Sequence, residues 1–212
     1  NYYFDHKLIH TGQNSDYELN KIFFNQLKIK KPNYYLECKG VNPVEKIGKI
    51  LSNTDKIIKK FRPDAVLILG DTNSSLSAIS AKKNKVPIFH LEAGNRCYDQ
   101  RVPEEINRKI VDHISDINLT YSNIARENLL RENLDPDKVF KISSPLTEVY
   151  KHYKNRINNS KILNKLKIKK NNFFLVSVHR EENIDNKKNL SKFLDLLMHL
   201  NKKYNKKVIV ST

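Results

Sequence analysis

Short apolar runs alternate with amphipathic stretches along almost the whole chain. Within residues 43–61, Val44, Ile47 and Ile50 recur at the spacing of one helix face, which predicts a long amphipathic helix. The run at residues 65–69 is apolar throughout, as is typical of a parallel strand that is buried on both faces. It leads directly into a polar turn, so the pattern places a buried strand between two helices.

The same two patterns recur along the rest of the chain and predict an alternating series of elements. Strands are predicted at residues 7–11, 65–69, 86–91, 116–120, 139–143, 173–178 and 208–211. Helices are predicted at residues 16–27, 43–61, 74–83, 104–114, 123–132, 146–157 and 190–204. Strands that alternate with helices favour the α/β class, with parallel sheets and right-handed crossovers.

The Lys- and Asn-rich stretch at residues 155–171 has weak helical periodicity and divides the chain. We therefore predict a first α/β domain over residues 1–154, a linker over 155–171 and the start of a second domain over 172–212. The last segment holds one strand–helix–strand unit, which is too little to cover a sheet on both faces. We expect a chain that is truncated at its C-terminus and at its N-terminus.

Positive charge dominates the composition, with 39 Lys and Arg against 23 Asp and Glu and a net charge of +16. Such a charge is compatible with a nucleic-acid partner. However, the 31 lysines are scattered over predicted helix surfaces and turns, and aromatic residues do not interleave with them as in a stacking platform. The 26 asparagines accompany them as in the products of AT-rich genes. We interpret the charge as a solvated surface and expect no nucleic-acid partner.

Other compositional features narrow the class of protein further. No stretch of the sequence approaches 18 consecutive apolar residues, and the first ten residues lack the pattern of a secretory signal. Cys38 and Cys97 are too few for a disulfide scaffold or a cysteine-based zinc site. We therefore expect a cytoplasmic protein without a membrane-bound segment.

Two candidate acids follow consecutive predicted strands. Asp71 lies in the turn after residues 65–69, where it either binds a ligand at the strand end or caps the next helix. Glu92 lies at the end of the following strand, where partial desolvation should raise its pKa to suit acid–base chemistry. His90 lies within that strand and is interpreted as a hydrogen-bonded core histidine.

A third cluster surrounds the predicted start of the helix at residues 104–114. Glu104 and Glu105 occupy its first turn, which is favourable for carboxylates but is also common N-terminal decoration. A lysine-rich chain that retains arginines at positions 96, 101 and 108 has the guanidinium groups that bind phosphate and carboxylate in a bidentate manner. These groups beside two strand ends suggest a pocket for a phosphorylated sugar.

A fourth cluster follows the predicted strand of the second domain. His179 and Arg180 stand at its end, where they either contact a phosphate or belong to an ordinary polar surface turn. No metal-ligand spacing, nucleophile elbow, P-loop or dinucleotide fingerprint is present in the sequence. We therefore expect neither a metal nor a redox cofactor.

Taken in series, these motifs resemble the non-hydrolysing UDP-N-acetylglucosamine 2-epimerases. The segments that carry the resemblance are Thr11-Gly12-Gln13, Pro63-Asp64, Gly70-Asp71-Thr72, His90-Leu91-Glu92-Ala93-Gly94, Pro103-Glu104-Glu105-Ile106-Asn107-Arg108 and Val178-His179-Arg180-Glu181-Glu182-Asn183. The stretch from Glu92 to His113 is most similar to a capsule and O-antigen subgroup that forms UDP-N-acetyl-L-fucosamine from a UDP-6-deoxy-L-talosamine derivative.

The resemblance implies two Rossmann-like domains of the glycosyltransferase-B type, a UDP-sugar substrate and a cytoplasmic homodimer of the full-length protein. It also implies elimination of UDP to a glycal, followed by re-addition with inversion at C2. By the same resemblance, the catalytic residues are Asp71, Glu92, Glu104 and His179; the substrate-binding residues are Arg96, Arg101, Arg108, Arg180, Glu181 and Asn183; and Gln13 lies near the allosteric UDP-GlcNAc site of some bacterial members.

Two other functions share these features. A glycosyltransferase-B sugar transferase has the same fold and donor nucleotide, so the fold does not separate it from an epimerase. A non-catalytic nucleotide-sugar-binding fragment would retain the strand-end pocket without turnover. Three candidate carboxylates, Asp71, Glu92 and Glu104, favour proton chemistry on the sugar.

Overall fold

Four short strands pair side by side into one parallel sheet in the computed structural model, which describes residues 3–12, 21–177 and 187–211. The strands are β3 (Val66–Leu69), β4 (Ile88–Leu91), β5 (Ile117–Thr120) and β6 (Val139–Lys141), in that order across the sheet. Each is joined to the next by helical segments. The predicted α/β class is confirmed by this parallel pairing.

The chain divides into two units, Asn1–Ser144 and Pro145–Thr212. The first unit also contains β1 (Ile9–His10), α1 (Lys21–Gln26), β2 (Tyr34–Tyr35), α2 (Pro43–Phe61), a 3-10 turn (Asn73–Leu76), α3 (Ser77–Lys83), α4 (Pro103–Ile114), α5 (Asn123–Arg131) and a 3-10 turn (Pro136–Lys138). The second unit contains α6 (Leu146–Asn158), α7 (Ile162–Lys165), β7 (Phe173–Ser177), α8 (Lys187–Tyr204) and β8 (Lys207–Ser211).

The division lies ten residues before the predicted domain boundary at residue 154, so α6 belongs to the second unit. The segment 155–171, which was predicted as a linker, contains the end of α6 and the short helix α7. In the second unit β7 and β8 pair in parallel, with α8 between them in sequence. This unit therefore has the strand–helix–strand order that the hydrophobic pattern predicts.

Helix α2 shows why the sequence pattern located the long helices well. It begins at Pro43, directly after Asn42, whose side chain accepts a hydrogen bond of 2.9 Å from the Glu45 N–H. It ends at Phe61 because Arg62 adopts the left-handed conformation, with φ of 51°. The predicted bounds of 43–61 are confirmed.

The core lies between one face of the sheet and the helices α2, α3 and α4. Its buried apolar residues are Ile58, Ile68, Leu76, Ala78, Ala81, Ile88 and Val111. The opposite face of β3 is uncovered in the part of the chain that the structure describes, because Leu67 and Leu69 are 65% and 62% exposed. Within the described part of the chain, the expectation that residues 65–69 are buried on both faces is therefore wrong.

The pairing of β1 with β2 was not predicted from the sequence. β1 lies within the strand predicted at residues 7–11, whereas β2 was missed because its two residues are too few for a period to be recognised. Their pairing is accompanied by stacking of the His10 ring on Tyr35, with ring centroids 4.8 Å apart. Of the helices in residues 3–12, 21–177 and 187–211, none has both the length and the apolar character that a bilayer crossing requires.

Gly94, which follows β4 in the sequence, lies very close to the backbone of α5. Its φ is 80°, and a Cβ atom at this position would overlap the carbonyl oxygen of Ala125 at the start of α5. The Gly94 N–H points to the Asp112 carboxylate, and the Gly94 carbonyl accepts a 3.0 Å hydrogen bond from Asn128. A glycine is therefore required here by both conformation and space.

We predict that Gly94→Ala lowers the free energy of unfolding by about 2–4 kcal/mol, because strain and overlap add. The matched control is Gly48→Ala, since Gly48 lies in α2 with no atom near its would-be Cβ. That change should raise stability by about 0.5–1 kcal/mol. Urea unfolding of the three proteins measures both effects, and equal stability of the Gly94 variant and the native protein would contradict the close approach.

Candidate active site

The candidate site is built where β3 and β4 end on the same edge of the sheet. Leu69 and Leu91 are paired in register, so the residues that follow them emerge side by side. Gly70 turns the chain with φ of 72° and donates its N–H to the Leu91 carbonyl at 3.1 Å. Asp71 and Glu92 are thereby brought together, as the sequence predicted.

Asp71 is engaged by α4 and does not cap the next helical turn. Its Oδ2 atom accepts hydrogen bonds from Nε and Nη2 of Arg108, at 2.9 and 2.7 Å. Asn107 donates its side-chain N–H to the Asp71 carbonyl at 3.0 Å. The residue at the cap of the following 3-10 turn is Thr72. The structure therefore does not show Asp71 as a helix cap, and its role in binding a ligand stays a prediction.

Glu92 is half-buried at the strand end and has a left-handed backbone, with φ of 68°. Burial raises the pKa of its carboxyl group, and the negative charge of Asp71 adds to the rise. The charges of Arg108 and His90 act in the opposite direction but are weaker. The sequence-based expectation of a raised pKa is confirmed, and the group can exchange a proton nearer to neutral pH than an ordinary glutamate.

Glu104 and Glu105 occupy the same helical turn but have different surroundings. Glu104 is half-buried, and its carboxylate has no hydrogen-bond or ion-pair partner among the residues that the structure describes. Glu105 is fully buried and accepts N–H groups of Cys97 at 3.0 Å and Tyr98 at 3.3 Å. Glu105 thus holds the loop before α4, whereas Glu104 is available to a ligand.

Arg108 completes the charged cluster from the first turns of α4. Besides its two bonds to Asp71, its Nη1 atom lies 3.1 Å from Glu105 Oε2. Arg108 therefore pairs with Glu105 three residues before it, and its other partner comes from the strand-end turn. This guanidinium links the helix that carries Glu104 to the turn that carries Asp71.

Arg96 was predicted to bind substrate, and the structure places it in the interior instead. Its side chain is fully buried, and its Nη1 atom lies 2.7 Å from Asp112. Its other nitrogens form a bidentate pair with Glu132, at 2.7 and 2.6 Å. A guanidinium that is buried and occupied in this way serves the fold, so the substrate-binding prediction for Arg96 is wrong for this structure.

His90 is the core histidine that the sequence analysis expected. Its Nδ1 lies 2.8 Å from Asp112, and its Nε2 lies 2.9 Å from the Gly70 carbonyl. Arg101, in contrast, has a side chain that is 90% exposed and paired with Asp99 at 2.7 Å. Arg101 is thus accessible to a ligand and separate from the buried network.

Five predicted site residues lie outside the described residues, so the structure does not place them: Gln13, His179, Arg180, Glu181 and Asn183. No group of three or more metal-ligating side chains occurs in the described part of the chain. The sequence analysis overlooked Tyr121, which follows β5 at the same edge of the sheet. The argument that selected Glu92, a polar side chain just after a buried strand, applies equally to Tyr121.

Comparison with known proteins gives consistent matches over nearly the whole chain. A family model described as UDP-N-acetylglucosamine 2-epimerase matches residues 1–212. A UDP-N-acetylglucosamine 2-epimerase homolog of Methanococcus maripaludis is 38% identical over 204 residues, which cover 95% of this chain and 57% of the relative.

Two solved structures are similar in both fold and sequence. The UDP-N-acetylglucosamine 2-epimerase from Rickettsia bellii is 50% identical with a TM-score of 0.89, and the match covers 98% of this chain and 54% of that one. The UDP-GlcNAc 2-epimerase of Methanocaldococcus jannaschii in complex with UDP-GlcNAc and UDP is 33% identical with a TM-score of 0.88, over 97% and 57% of the chains. The chain spans about half the length of these relatives.

The pair between the buried Arg96 and the partly exposed Glu132 makes stability depend on acid pH. Its hydrogen bonds lower the pKa of Glu132 to about 2 from an ordinary value of 4.5. The pair therefore stabilises the fold fully above pH 4.5, and this contribution is lost as the pH falls towards 2.

We predict that Glu132→Gln costs about 2 kcal/mol of unfolding free energy at neutral pH, the scale of a hydrogen bond to a charged group. The difference from the native protein should shrink as the pH falls from 4.5 to 3. Glu127→Gln is the control in α5, because Glu127 is exposed and its ion pair with Arg131 spans 3.7 Å; it should change stability by less than about 0.5 kcal/mol. Denaturant unfolding across this pH range measures both, and a cost that is independent of pH would contradict the role of the pair.

Proposed function

Because the chain belongs to the UDP-N-acetylglucosamine 2-epimerase family, we propose that the intact protein inverts C2 of a UDP-N-acetylhexosamine without net hydrolysis. The observation that carries this proposal is the Glu92 carboxyl group, half-buried with a raised pKa beside the Asp71–Arg108 pair. The carboxylate of Glu104, which has no partner among the described residues, belongs to the helix that carries Arg108. Carboxyl groups with such different surroundings can divide the tasks of acid and base.

The chemistry explains why carboxyl groups are needed. The C2–H of an N-acetylhexosamine is not acidic until the C1–O bond to the diphosphate stretches. A carboxylate removes the C2 proton as the C1–O bond breaks. The electron pair of the C2–H bond forms the C1=C2 double bond of a glycal. UDP leaves with the electron pair of the C1–O bond. UDP then adds back to C1 while a proton is delivered to the opposite face of C2. We assign these two proton transfers to Glu92 and Glu104.

The remaining residues of the proposal bind the nucleotide or position the carboxyl groups. Asp71 holds Arg108 and adds negative charge beside Glu92, which supports the protonated form of Glu92. We assign the diphosphate to His179 and Arg180, since cationic and hydrogen-bonding groups stabilise a departing diphosphate. Their neighbours Glu181 and Asn183 complete that binding segment, and Arg101 is accessible to the substrate.

The proposed substrate is either UDP-GlcNAc or the 6-deoxy-L sugar nucleotide that leads to UDP-N-acetyl-L-fucosamine, with a role in capsule or O-antigen synthesis. The sequence of residues 92–113 supports the second substrate, since it is most similar to that subgroup. A crystal structure of one relative contains UDP-GlcNAc and UDP, which supports a UDP-sugar as the substrate class. A cytoplasmic homodimer and an allosteric site near Gln13 are further parts of this proposal.

Elimination and re-addition predict that the C2 hydrogen exchanges with solvent. When the intact protein is incubated with UDP-GlcNAc or its 6-deoxy-L analogue in heavy water, the epimerised product should carry deuterium at C2. Proton NMR measures this directly, and prolonged incubation should release free UDP and a 2-acetamidoglycal. Product that retains protium at C2 would exclude the mechanism, and no turnover without an acceptor sugar would favour a sugar transferase.

We predict that Glu104→Gln lowers kcat by about a hundredfold or more, the scale of a lost general acid or base, while UDP binding persists. Glutamine keeps the size of the side chain and removes its ability to carry a proton. The matched control is Glu45→Gln, because Glu45 occupies the first turn of α2 and pairs with Lys49 on the surface. Turnover assays and UDP titration calorimetry measure the two effects, and near-native turnover would remove Glu104 from the mechanism.

A further inference from the structure

Tyr121 leaves the sheet beside Glu92. It directly follows β5, which pairs with β4 so that Leu119 lies opposite Leu91. The Ala93 N–H continues this ladder by donating to the Leu119 carbonyl at 3.3 Å. Two adjacent parallel strands therefore deliver the Glu92 carboxyl group and the Tyr121 phenol to the same edge.

The Tyr121 hydroxyl is buried without a hydrogen-bond partner among the residues that the structure describes. A buried polar group in this state is unfavourable, and the large majority of buried side-chain polar atoms in native proteins have a partner. Burial and the negative charge of Glu92 both raise the pKa of the phenol. Tyr121 therefore keeps its proton and can act as a hydrogen-bond donor.

The Glu92 carboxylate has an oxygen atom that can accept a hydrogen bond. Its Oε1 atom lies 3.4 Å from the side-chain nitrogen of Asn95, which is a long hydrogen bond. Its Oε2 atom has no hydrogen-bond partner among the described residues. Within the described residues, a hydroxyl and a carboxylate oxygen that both lack a partner thus follow two adjacent strands at the same edge of the sheet.

We infer that Tyr121 is a positioning residue for Glu92, to whose charged carboxylate its hydroxyl donates a hydrogen bond in the step where Glu92 has given up its proton. The catalytic step named here rests on the proposed function, whereas the hydrogen bond between Tyr121 and Glu92 does not. When Glu92 is protonated, the hydrogen bond from the Tyr121 hydroxyl is broken. Tyr121 thereby supports the ionised state that burial alone disfavours, and the carboxyl group can cycle between its two forms.

The direction of the effect follows from the charged groups around Glu92. Asp71, in the turn after β3, disfavours the carboxylate, and Arg108 from α4 and His90 from β4 favour it. A hydrogen bond from Tyr121 favours the carboxylate as well. Removing only the hydroxyl should therefore raise the pKa of Glu92 further and leave the three other groups in place.

The test is a 13C NMR titration of the Glu92 carboxyl group in the intact protein, assigned by its loss in Glu92→Gln. In Tyr121→Phe the apparent pKa of Glu92 should be higher by at least about half a unit, since a hydrogen bond to the charged form is lost. Tyr98→Phe is the matched control, because the Tyr98 hydroxyl donates to Asn128 at 3.0 Å and serves the fold. It should leave the pKa of Glu92 unchanged. An unchanged pKa in Tyr121→Phe overturns the inference.

Two further measurements separate this inference from the proposed function. In the turnover assay, Tyr121→Phe should lower kcat about tenfold with KM within about threefold, and the acid limb of the rate profile should move to higher pH, as for a weakened acid–base group. A raised pKa in a protein that epimerises no UDP-sugar would support the Tyr121–Glu92 pair and reject the function. Turnover with an unmoved acid limb would reject the pair and retain the function.

A reciprocal variant keeps the test decisive if Tyr121→Phe does not fold. In Glu92→Gln the phenol of Tyr121 loses its charged neighbour, so its pKa should fall relative to the native protein. The Cζ resonance of Tyr121 reports this titration. An unchanged phenol pKa would show that the two groups do not interact and would overturn the inference.

Discussion

The carboxylate of Asp112 is the point on which the site depends. It is fully buried in α4 and accepts hydrogen bonds from His90 in β4, from the Gly94 N–H and from Arg96. Each donor comes from the segment that begins in β4 and ends before α4. A buried carboxylate left without such donors would cost several kcal/mol, so these bonds are needed to keep Asp112 in the interior. The segment that carries Glu92 is thereby fixed at both ends.

Glu92 lies between two residues that Asp112 holds, His90 and Gly94. Its own backbone is left-handed, a conformation that costs free energy for a residue with a side chain. The anchored neighbours maintain that conformation, and the carboxyl group stays in a half-buried position at the sheet edge. At this position burial and the charge of Asp71 raise the pKa of Glu92, which does not itself belong to the Asp112 network.

The arginines around α4 divide according to the elements that surround them. Arg96 neutralises Asp112 and Glu132 in the interior, Arg108 joins α4 to Asp71, and Arg101 is left in solvent. A planar guanidinium can satisfy two carboxylates in this way, which a lysine cannot copy. The same residue type therefore serves the core, the site and the surface within thirteen positions of the sequence.

Much of the candidate site followed from local patterns. The position of Asp71 and Glu92 after consecutive buried strands was predictable, because parallel strands bring their carboxyl ends to one edge. The elevated pKa of Glu92 was predictable because a carboxylate at the end of an apolar strand is partly desolvated. The interior position of Arg96 was not, since its partner Glu132 is 36 residues away and only packing of α5 brings them together.

The sequence by itself determined the order of strands and helices, because hydrophobic period, caps and turn residues act over a few neighbouring positions. It also determined that the chain is α/β and that acids follow apolar strands. The tertiary structure decided the rest. Among the residues that the structure describes, it distinguished Glu104 from Glu105, exposed one face of β3 and left the Tyr121 hydroxyl without a partner. These outcomes depend on which distant groups share a desolvated space, and no local pattern encodes that information.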